Sequence, residues 1–256
     1  MEFIGRTEEL NILNKYHSSK KAEFGIIYGN RRIGKTTLLK KFLEKKEGIY
    51  YFCEKNNTNI ERMQKELARK TNNKLFSKAT FKTFYDLFEG FFEIYESKEK
   101  FVIIIDEFTY LIEENKGITS EFQRIWDEIL STKNCFLILN GSSFGMMTEL
   151  VLSEKSPLYG RKSFALQIKG LAYKELQQLT NINEKELFKY YAVLGDTTLY
   201  WTFIDKKKTF FENITAIFLE IGSPLYEEFE FIMLQSFREI KNYTIILDAI
   251  ARQKKE

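Results

Sequence analysis

The sequence contains little cysteine and histidine, and it has no long apolar run. Two cysteines, Cys53 and Cys135, are too few for a disulfide framework, and with one histidine, His17, they cannot supply a zinc site of four Cys or His ligands. No stretch approaches the ~20 apolar residues of a transmembrane helix, and the segment from Met1 to Leu10 is charged where a signal peptide is apolar. We therefore expect no membrane association and a reducing, cytoplasmic compartment.

The chain also lacks an excess of either charge. It has 39 Lys and Arg against 36 Asp and Glu, a formal net charge of +3, which argues against binding to nucleic acid by bulk charge alone. With 44% hydrophobic residues, a chain of 256 residues can bury a sizeable core. The length fits one large domain or two smaller ones.

Glycine is scarce in the second part of the chain, since 11 of the 13 glycines lie at or before Gly170. Apolar runs in the first part predict five buried strands: Phe24 to Tyr28, Ile49 to Cys53, Phe101 to Ile105, Phe136 to Leu139 and Phe164 to Ile168. Amphipathic segments predict the intervening helices: Lys35 to Lys46, Ile60 to Lys70, Phe84 to Tyr95, Glu121 to Leu130 and Phe144 to Leu152. This alternation predicts an α/β domain over residues 1–170, with a parallel sheet and helices on both faces.

The residues after Gly170 have a helical pattern. Apolar residues at three and four spacing predict helices over Tyr173 to Leu179, Glu184 to Val193, Phe210 to Leu219 and Tyr226 to Ile240. A further amphipathic helix begins at Tyr243 and runs to Arg252. We predict a small all-helical domain over residues 171–240 and the start of another over 241–256.

A phosphate-binding loop follows the first predicted strand. The run Gly29-Asn30-Arg31-Arg32-Ile33-Gly34-Lys35-Thr36 matches the pattern G-x-x-x-x-G-K-[ST] and opens a helix at Thr37. Its glycines allow backbone N–H groups to turn around phosphate oxygens, and the helix N-terminus adds partial positive charge. We expect Lys35 to reach the β and γ phosphates and Thr36 to coordinate Mg²⁺. The predicted nucleotide contacts are Gly29, Asn30, Arg31, Arg32, Ile33, Gly34, Lys35, Thr36 and Thr37.

Two adjacent acids, Asp106 and Glu107, follow the third predicted strand. Such a strand delivers them to the carboxyl edge of the sheet, where open α/β folds bind ligands. Asp106 is the candidate partner of Mg²⁺, either as a direct ligand or through another group that ligates the ion. Glu107 is the candidate base that polarises the attacking water, a role that separates hydrolases from many phosphate-loop kinases.

Other polar residues are weaker candidates. The fourth predicted strand ends in Asn140-Gly141-Ser142-Ser143, so Asn140 or Ser142 is a candidate to orient the water or to read the γ phosphate, while Ser143 fits a helix N-cap equally well. Arg161, before the fifth predicted strand, is a candidate γ-phosphate contact within the chain or in a neighbouring subunit. A surface salt bridge is the alternative for Arg161.

The order of these motifs resembles a known group. The N-terminal Phe3-Ile4-Gly5-Arg6-Thr7-Glu8-Glu9-Leu10 looks like the signature that precedes the phosphate loop in STAND-type and related AAA+ ATPases. With the loop, the acids and the segments Leu139 to Met147 and Ser156 to Arg161, the chain is similar to the prokaryotic ATPase family found mostly in archaea. The segment from Ile221 to Glu228 is similar to that family's lid.

The resemblance implies an α/β P-loop NTPase domain over residues 1–170, a helical lid over 171–240 and the start of a truncated winged helix over 241–256. It further implies that Phe3, Ile4, Gly5 and Arg6 pack near the adenine and that Asp106 and Glu107 form the Walker B pair. One stretch departs from the family: where Gly-Gly-x-Pro-x-Tyr-Leu is frequent, this chain has Gly195-Asp196-Thr197-Thr198-Leu199-Tyr200-Trp201. We expect the absence of the second glycine and the proline to alter the geometry of the lid, and with it any contact between the lid and the nucleotide.

The leading functional hypothesis is an ATPase that uses Mg²⁺ and ATP and whose nucleotide state moves the lid. A slow nucleotide-gated switch or scaffold, acting through assembly or partner binding, is the alternative. A small-molecule kinase is disfavoured because residues 172–220 contain no Arg to serve a mobile lid. The expected partners are ATP, a second copy of the chain, and a protein or DNA bound through a domain that follows this segment.

Overall fold

The computed structural model describes residues 3, 5–56, 58–71, 73–96, 99–236 and 240–252. Contacts between Cα atoms divide the chain into two compact units. The first comprises Met1–Asn181 and Asp196–Leu199, and the second comprises Ile182–Gly195 and Tyr200–Glu256. Among the described helices, none has the length and apolar character that a membrane span requires. The predicted domain boundaries at residues 170 and 240 stay predictions.

The first unit is built on a five-stranded parallel sheet. Its strands are β1 (Glu23–Tyr28), β2 (Gly48–Phe52), β3 (Phe101–Asp106), β4 (Cys135–Gly141) and β5 (Phe164–Gln167), in the spatial order β2-β3-β4-β1-β5. All five predicted strands are therefore confirmed, within one or two residues at each end. Every residue of β3 and β4 is buried, which is why their sequences are continuous apolar runs rather than alternating ones.

Helices connect these strands. In the first unit they are α1 (Thr7–His17), α2 (Lys35–Leu43), α3 (Asn59–Thr71), α4 (Lys74–Lys78), α5 (Phe84–Ile94), α6 (Phe108–Glu114), α7 (Ile118–Glu128), α8 (Phe144–Met146) and α9 (Tyr173–Thr180). The segment predicted as one helix from Phe144 to Leu152 is instead the short α8 continued by a π-helix, Met147–Leu152. The sequence did not predict α6, because it follows β3 after a single residue, Glu107.

The sheet has a buried core on each face, as an α/β fold requires. On one face, Ile104 and Ile138 of the central strands pack with Leu38 and Leu39 of α2. On the other, Ile103, Ile105 and Leu137 pack with aromatic residues of the helices that precede and follow β3, namely Phe88, Phe91, Phe108 and Phe122. Because successive residues of a strand point to opposite faces, the parity of a residue number in β3 decides which core it joins.

The second unit is helical. It contains α10 (Glu184–Leu194), the second half of the short α11 (Thr198–Trp201), α12 (Phe210–Ile214), which continues as a π-helix over Thr215–Leu219, α13 (Glu228–Ser236) and α14 (Ile240–Arg252). Polar bonds join these elements: Asn213 Nδ2 donates to Tyr190 Oη at 2.8 Å, and Trp201 Nε1 donates to Gly195 O at 2.8 Å. The predicted helix from Tyr226 to Ile240 is observed over Glu228–Ser236, and residues 237–239 lie outside the described part of the chain.

Candidate nucleotide site

The phosphate loop lies between β1 and α2, and its backbone requires glycine at both motif positions. Gly29 has φ of 151°, and a Cβ there would lie 2.2 Å from Ile168 O. Gly34 has φ of 90° and precedes the first residue of α2. Because the first N–H groups of a helix lack partners within the helix, this turn presents free donors and a partial positive charge at the loop. The arrangement is suited to an anion.

The side chains of the predicted loop residues differ in their placement. Asn30, Arg31, Arg32 and Thr37 are exposed, whereas the Ile33 side chain is buried in the core on the α2 face of the sheet. Ile33 can therefore take part in binding only through its backbone. Arg32 has φ of 67°, a left-handed conformation that is uncommon for a residue with a side chain.

Lys35 is buried, and loop oxygens surround its ammonium group. Lys35 Nζ donates to Gly29 O at 2.8 Å, to Asn30 O at 2.7 Å and to Ser142 Oγ at 2.9 Å. Burial lowers the pKa of Lys35 to about 8, against the opposing effect of the nearby charges of Glu107 and Asp106. The side chain is therefore a cation at pH 7, held at the mouth of the loop by mostly neutral acceptors that an anion can replace.

Asp106 is fully buried at the carboxyl end of β3, and its carboxylate accepts four hydrogen bonds. Oδ2 accepts from Thr36 Oγ1 at 2.7 Å and from Tyr50 Oη at 2.5 Å. Oδ1 accepts from the backbone N–H of Glu107 at 2.8 Å and from Asn140 Nδ2. The structure thus brings together Thr36, Asp106 and Asn140, as their positions after the strands predict. No sequence motif pointed to Tyr50, because only the register of β2 against β3 places it here.

Glu107 occupies a strained backbone position directly after the strand. Its φ of 54° and ψ of 44° are left-handed, a conformation that costs a residue with a side chain about 1–3 kcal/mol. Its carboxylate accepts from Ser142 Oγ and, at 3.3 Å, from the Ser142 backbone N–H. Since Ser142 Oγ also accepts from Lys35, one hydroxyl joins the candidate base to the loop lysine. Strain of this kind concentrates at functional sites.

Asn140 and Arg161 have different surroundings. Asn140 is fully buried, and its Oδ1 is one of the few buried polar side-chain atoms in the described residues that has no hydrogen-bond partner. The guanidinium of Arg161 instead forms a bidentate ion pair with Asp127, with Nη2 and Oδ2 2.8 Å apart, and also donates to Pro157 O at 2.9 Å. The structure therefore contains the surface salt bridge that was the alternative for Arg161.

The N-terminal signature contacts the phosphate loop through Arg6. This side chain is buried, and its Nη2 donates to Ile33 O at 2.8 Å and to Lys169 O at 2.7 Å. Its backbone N–H donates to Glu175 Oε1 at 2.9 Å. The preceding Gly5 allows this approach, because a Cβ there would lie 2.4 Å from the same oxygen. Arg6 thus holds the Ile33 carbonyl of the phosphate loop in place.

The remaining signature residues are less defined. Phe3 is half-buried against the core on the α2 face, and Ile4 lies outside the described residues. The expected proximity of residues 3–6 to an adenine ring stays a prediction.

The stretch that departs from the family pattern also contacts the loop. Thr198 Oγ1 donates to Ile33 O at 3.2 Å, and the Leu199 backbone N–H donates to Arg32 O at 3.0 Å. Asp196 O accepts from the Leu171 N–H at 3.2 Å, which anchors the start of this stretch. These contacts support the loop without the second glycine and the proline that are frequent in the family.

The residues at the carboxyl edge fit a magnesium ion. The Thr36 hydroxyl is a hard oxygen ligand, and the Asp106 carboxylate, 2.7 Å away, accepts its hydrogen bond and adds negative charge behind it. Mg²⁺ in nucleotide sites takes one or two such protein oxygens and completes its shell with phosphate oxygens and water. Within the described part of the chain, no three His, Cys, Asp or Glu side chains form a metal cluster of their own.

Comparison with known proteins settles the family. Residues 3–207 match the ATPase domain described as predominantly from Archaea. The chain belongs to this archaeal ATPase family. It is also 37% identical over 251 residues to the uncharacterized protein MJECL04 of Methanocaldococcus jannaschii, an alignment that covers 97% of this chain. The chain spans 54% of the length of that relative.

Solved structures of archaeal ATPases confirm the fold. The Walker-type ATPase PABY2304 of Pyrococcus abyssi matches with a TM-score of 0.57 at 20% identity, covering 98% of this chain and 77% of that one. A STAND protein with a tetratricopeptide repeat sensor, PH0952 of Pyrococcus horikoshii, matches with a TM-score of 0.53 at 18% identity, covering 85% of this chain and 33% of that one. The family supports ATP binding, and these neighbours confirm the resemblance to STAND-type P-loop ATPases at the level of the fold.

Proposed function

We propose that this chain binds Mg²⁺-ATP and hydrolyses it to ADP and phosphate. One observation supports this most directly: a single hydrogen-bonded cluster at the carboxyl edge of the sheet contains Lys35 and Thr36 of the loop, the acids Asp106 and Glu107, and Ser142. These are the groups that phosphoryl transfer to water requires, namely a phosphate-binding cation, oxygen ligands for a metal and a carboxylate base.

In the proposed mechanism the loop and the N-terminus of α2 bind the phosphates. Lys35 exchanges the acceptors Gly29 O, Asn30 O and Ser142 Oγ for charged phosphate oxygens, which form stronger hydrogen bonds. Thr36, with Asp106 behind it, would hold Mg²⁺, which neutralises charge on the β and γ phosphates when it is bound.

Glu107 then accepts a proton from the attacking water. The water oxygen forms a bond to the γ phosphorus as the bond between that phosphorus and the bridging oxygen breaks, and the electron pair of this bond leaves with ADP. The partnerless Asn140 Oδ1 is a candidate to hold the second proton of the same water. Both residues lie next to Asp106, since Asn140 Nδ2 and the Glu107 backbone N–H donate to the same Asp106 oxygen.

The ligand-free arrangement also favours a slow switch as the second candidate function. Both Glu107 carboxylate oxygens accept hydrogen bonds from Ser142, so the base is engaged before any water arrives. Turnover then requires the hydrogen bonds between Ser142 and the Glu107 carboxylate to break. In that case the nucleotide state acts mainly by positioning the predicted lid, residues 171–240, and by controlling a C-terminal or partner domain.

The proposed function also includes candidate binding partners. We retain a second copy of the chain, a protein partner, and DNA bound through a winged helix that begins within 241–256, as candidates. Arg161 would act in a neighbouring subunit only if its ion pair with Asp127 opens. The cytoplasmic compartment is likewise a proposal.

Phosphate release and nucleotide binding, measured on the same samples, test the function. The variants are Glu107→Gln and Lys35→Ala. The matched controls are Glu113→Gln and Lys41→Ala, which alter exposed residues in surface ion pairs. Removing a general base typically reduces the rate about 10²–10⁴-fold, so Glu107→Gln should bind ATP but release little phosphate. Lys35→Ala should bind weakly, and both controls should match the parent.

The outcomes separate the candidate functions. Turnover in the parent that is lost in Glu107→Gln, with binding retained, supports the ATPase. Binding without turnover in both proteins supports the switch. Absence of nucleotide binding in the parent refutes both.

A further inference from the structure

The Tyr50 hydroxyl donates to the carboxylate of Asp106, the candidate partner of the metal ion. Tyr50 belongs to none of the sequence motifs. An ionised carboxylate has about four acceptor positions. All four positions of Asp106 have donors within the chain: the Glu107 N–H and Asn140 Nδ2 on Oδ1, and Thr36 Oγ1 and Tyr50 Oη on Oδ2. Asp106 is fully buried, so water does not compete with these donors. No acceptor position remains for direct ligation of a cation.

The sheet register explains why Tyr50 reaches this carboxylate. Tyr50 of β2 pairs with Ile104 of β3, and Phe52 pairs with Asp106. Side chains two residues apart in a strand share a face, so Tyr50, Ile104 and Asp106 all point toward α2, which carries Thr36. The Lys40 ammonium lies over the Tyr50 ring, 4.8 Å from its centre.

The neighbouring Tyr51 provides a natural comparison. It points to the opposite face of the sheet, where its hydroxyl donates to Asn59 Oδ1 at 2.8 Å. Both tyrosines lie in the same strand, and each donates one hydrogen bond to a buried side chain. Only Tyr50 contacts the candidate metal site.

The occupied acceptor positions of Asp106 affect which divalent cation the nucleotide site prefers. Mg²⁺ retains several waters in a strict octahedral shell, so a carboxylate that acts only through the Thr36 hydroxyl suits it. Ca²⁺ takes six to eight oxygen ligands in flexible geometry and gains from direct carboxylate ligation. We infer that the Tyr50 hydroxyl keeps Asp106 an indirect partner of the cation and thereby biases the nucleotide site toward Mg²⁺ over Ca²⁺. This inference rests on the proposed Mg²⁺-ATP function.

The test compares Tyr50→Phe with Tyr51→Phe in the full chain. Phenylalanine preserves the ring and its contact with Lys40, and it removes only the hydroxyl. The readout is the fluorescence anisotropy of a labelled ATP analogue, titrated with Mg²⁺ or with Ca²⁺, so it does not depend on turnover. Removing one hydrogen bond to a charged group should lower the ratio of the half-saturating Ca²⁺ and Mg²⁺ concentrations about tenfold in Tyr50→Phe. Tyr51→Phe should keep the parent ratio.

Each outcome supports or overturns the inference. A ratio that stays unchanged in Tyr50→Phe overturns it, whether both ions bind as in the parent or both are weakened equally. An equal change in Tyr51→Phe also overturns it, because the effect would then come from general loosening of β2. If the parent binds the analogue with neither ion, the proposed function and this inference fail together. If the parent shows cation-dependent binding, failure of the Tyr50 prediction leaves the proposed function intact.

Discussion

Arg6 links the N-terminal signature to the phosphate loop, and its replacement by alanine is expected to destabilise the first unit. The side chain is only 5% exposed, and its guanidinium donates to two backbone carbonyls, Ile33 O and Lys169 O, and to Glu9 Oε1. Alanine removes all three donors. Glu9 lies near the surface and can be hydrated instead, whereas Ile33 O loses a charged donor in a buried position and Lys169 O loses one in a partly buried position.

The magnitude follows from these contacts. A hydrogen bond to a charged group contributes about 1.5–3 kcal/mol. Ile33 O keeps a second donor in Thr198, so we count one full bond and part of another and expect Arg6→Ala to cost about 3 kcal/mol. For a chain of this size, about 2–4 °C per kcal/mol predicts a Tm lower by about 6–12 °C. ATP binding should weaken as well, because Ile33 belongs to the loop.

Two further variants make this test specific. Arg6 has φ of 60°, so Arg6→Gly should be more stable than Arg6→Ala by about 0.5–1 kcal/mol, because alanine retains the left-handed strain. Arg69→Ala, which removes an exposed ion pair with Glu66, should change stability by less than about 0.5 kcal/mol. Thermal and urea unfolding of the ligand-free chain measure all three. Destabilisation by Arg6→Ala no greater than that by Arg69→Ala would contradict a stabilising role of the Arg6 guanidinium.

Two other predictions concern the phosphate loop. Since burial lowers the pKa of Lys35 to about 8, the ligand-free protein loses this charge above pH 8. ATP affinity measured by fluorescence should therefore fall about tenfold from pH 7 to pH 9, and the Lys35 contribution to stability should become more favourable above pH 8, where the unfolded chain still holds the proton. A flat profile in the parent would contradict this. Gly29→Ala places Cβ 2.2 Å from Ile168 O, while Gly34→Ala meets nothing closer than 4.0 Å. Thermal melts should show a loss for Gly29→Ala several times the ~1–2 kcal/mol expected for Gly34→Ala, and equal losses would contradict the geometry.

Most of the α/β architecture was predictable because it depends on local patterns. The continuous apolar runs of β3 and β4 mark strands covered on both faces, and the motif from Gly29 to Thr36 has its own backbone requirements. The helix α6 was missed because Glu107 takes a left-handed conformation at a turn of one residue. Such a turn is stabilised by the surrounding contacts rather than by its own sequence.

Tertiary contacts decided the partners within the site. Tyr50, Glu175 and Thr198 reach the site from segments far away in the sequence, and no spacing rule relates them to the loop. Arg161 was a candidate γ-phosphate contact from its place in the sequence, yet its guanidinium pairs with Asp127 of α7. A side chain's partner depends on which segments are neighbours in space.

The sequence alone determined the family, the parallel sheet and the edge at which the phosphate loop meets Asp106 and Glu107. Short local motifs are sufficient for this, because they specify backbone geometry and strand direction. Only the tertiary structure decided how these groups are connected: Tyr50 on the Asp106 carboxylate, Ser142 between Lys35 and Glu107, and Arg6 behind Ile33. The physical reason is that a hydrogen bond forms within about 3 Å, and strand register and helix packing set distances on that scale.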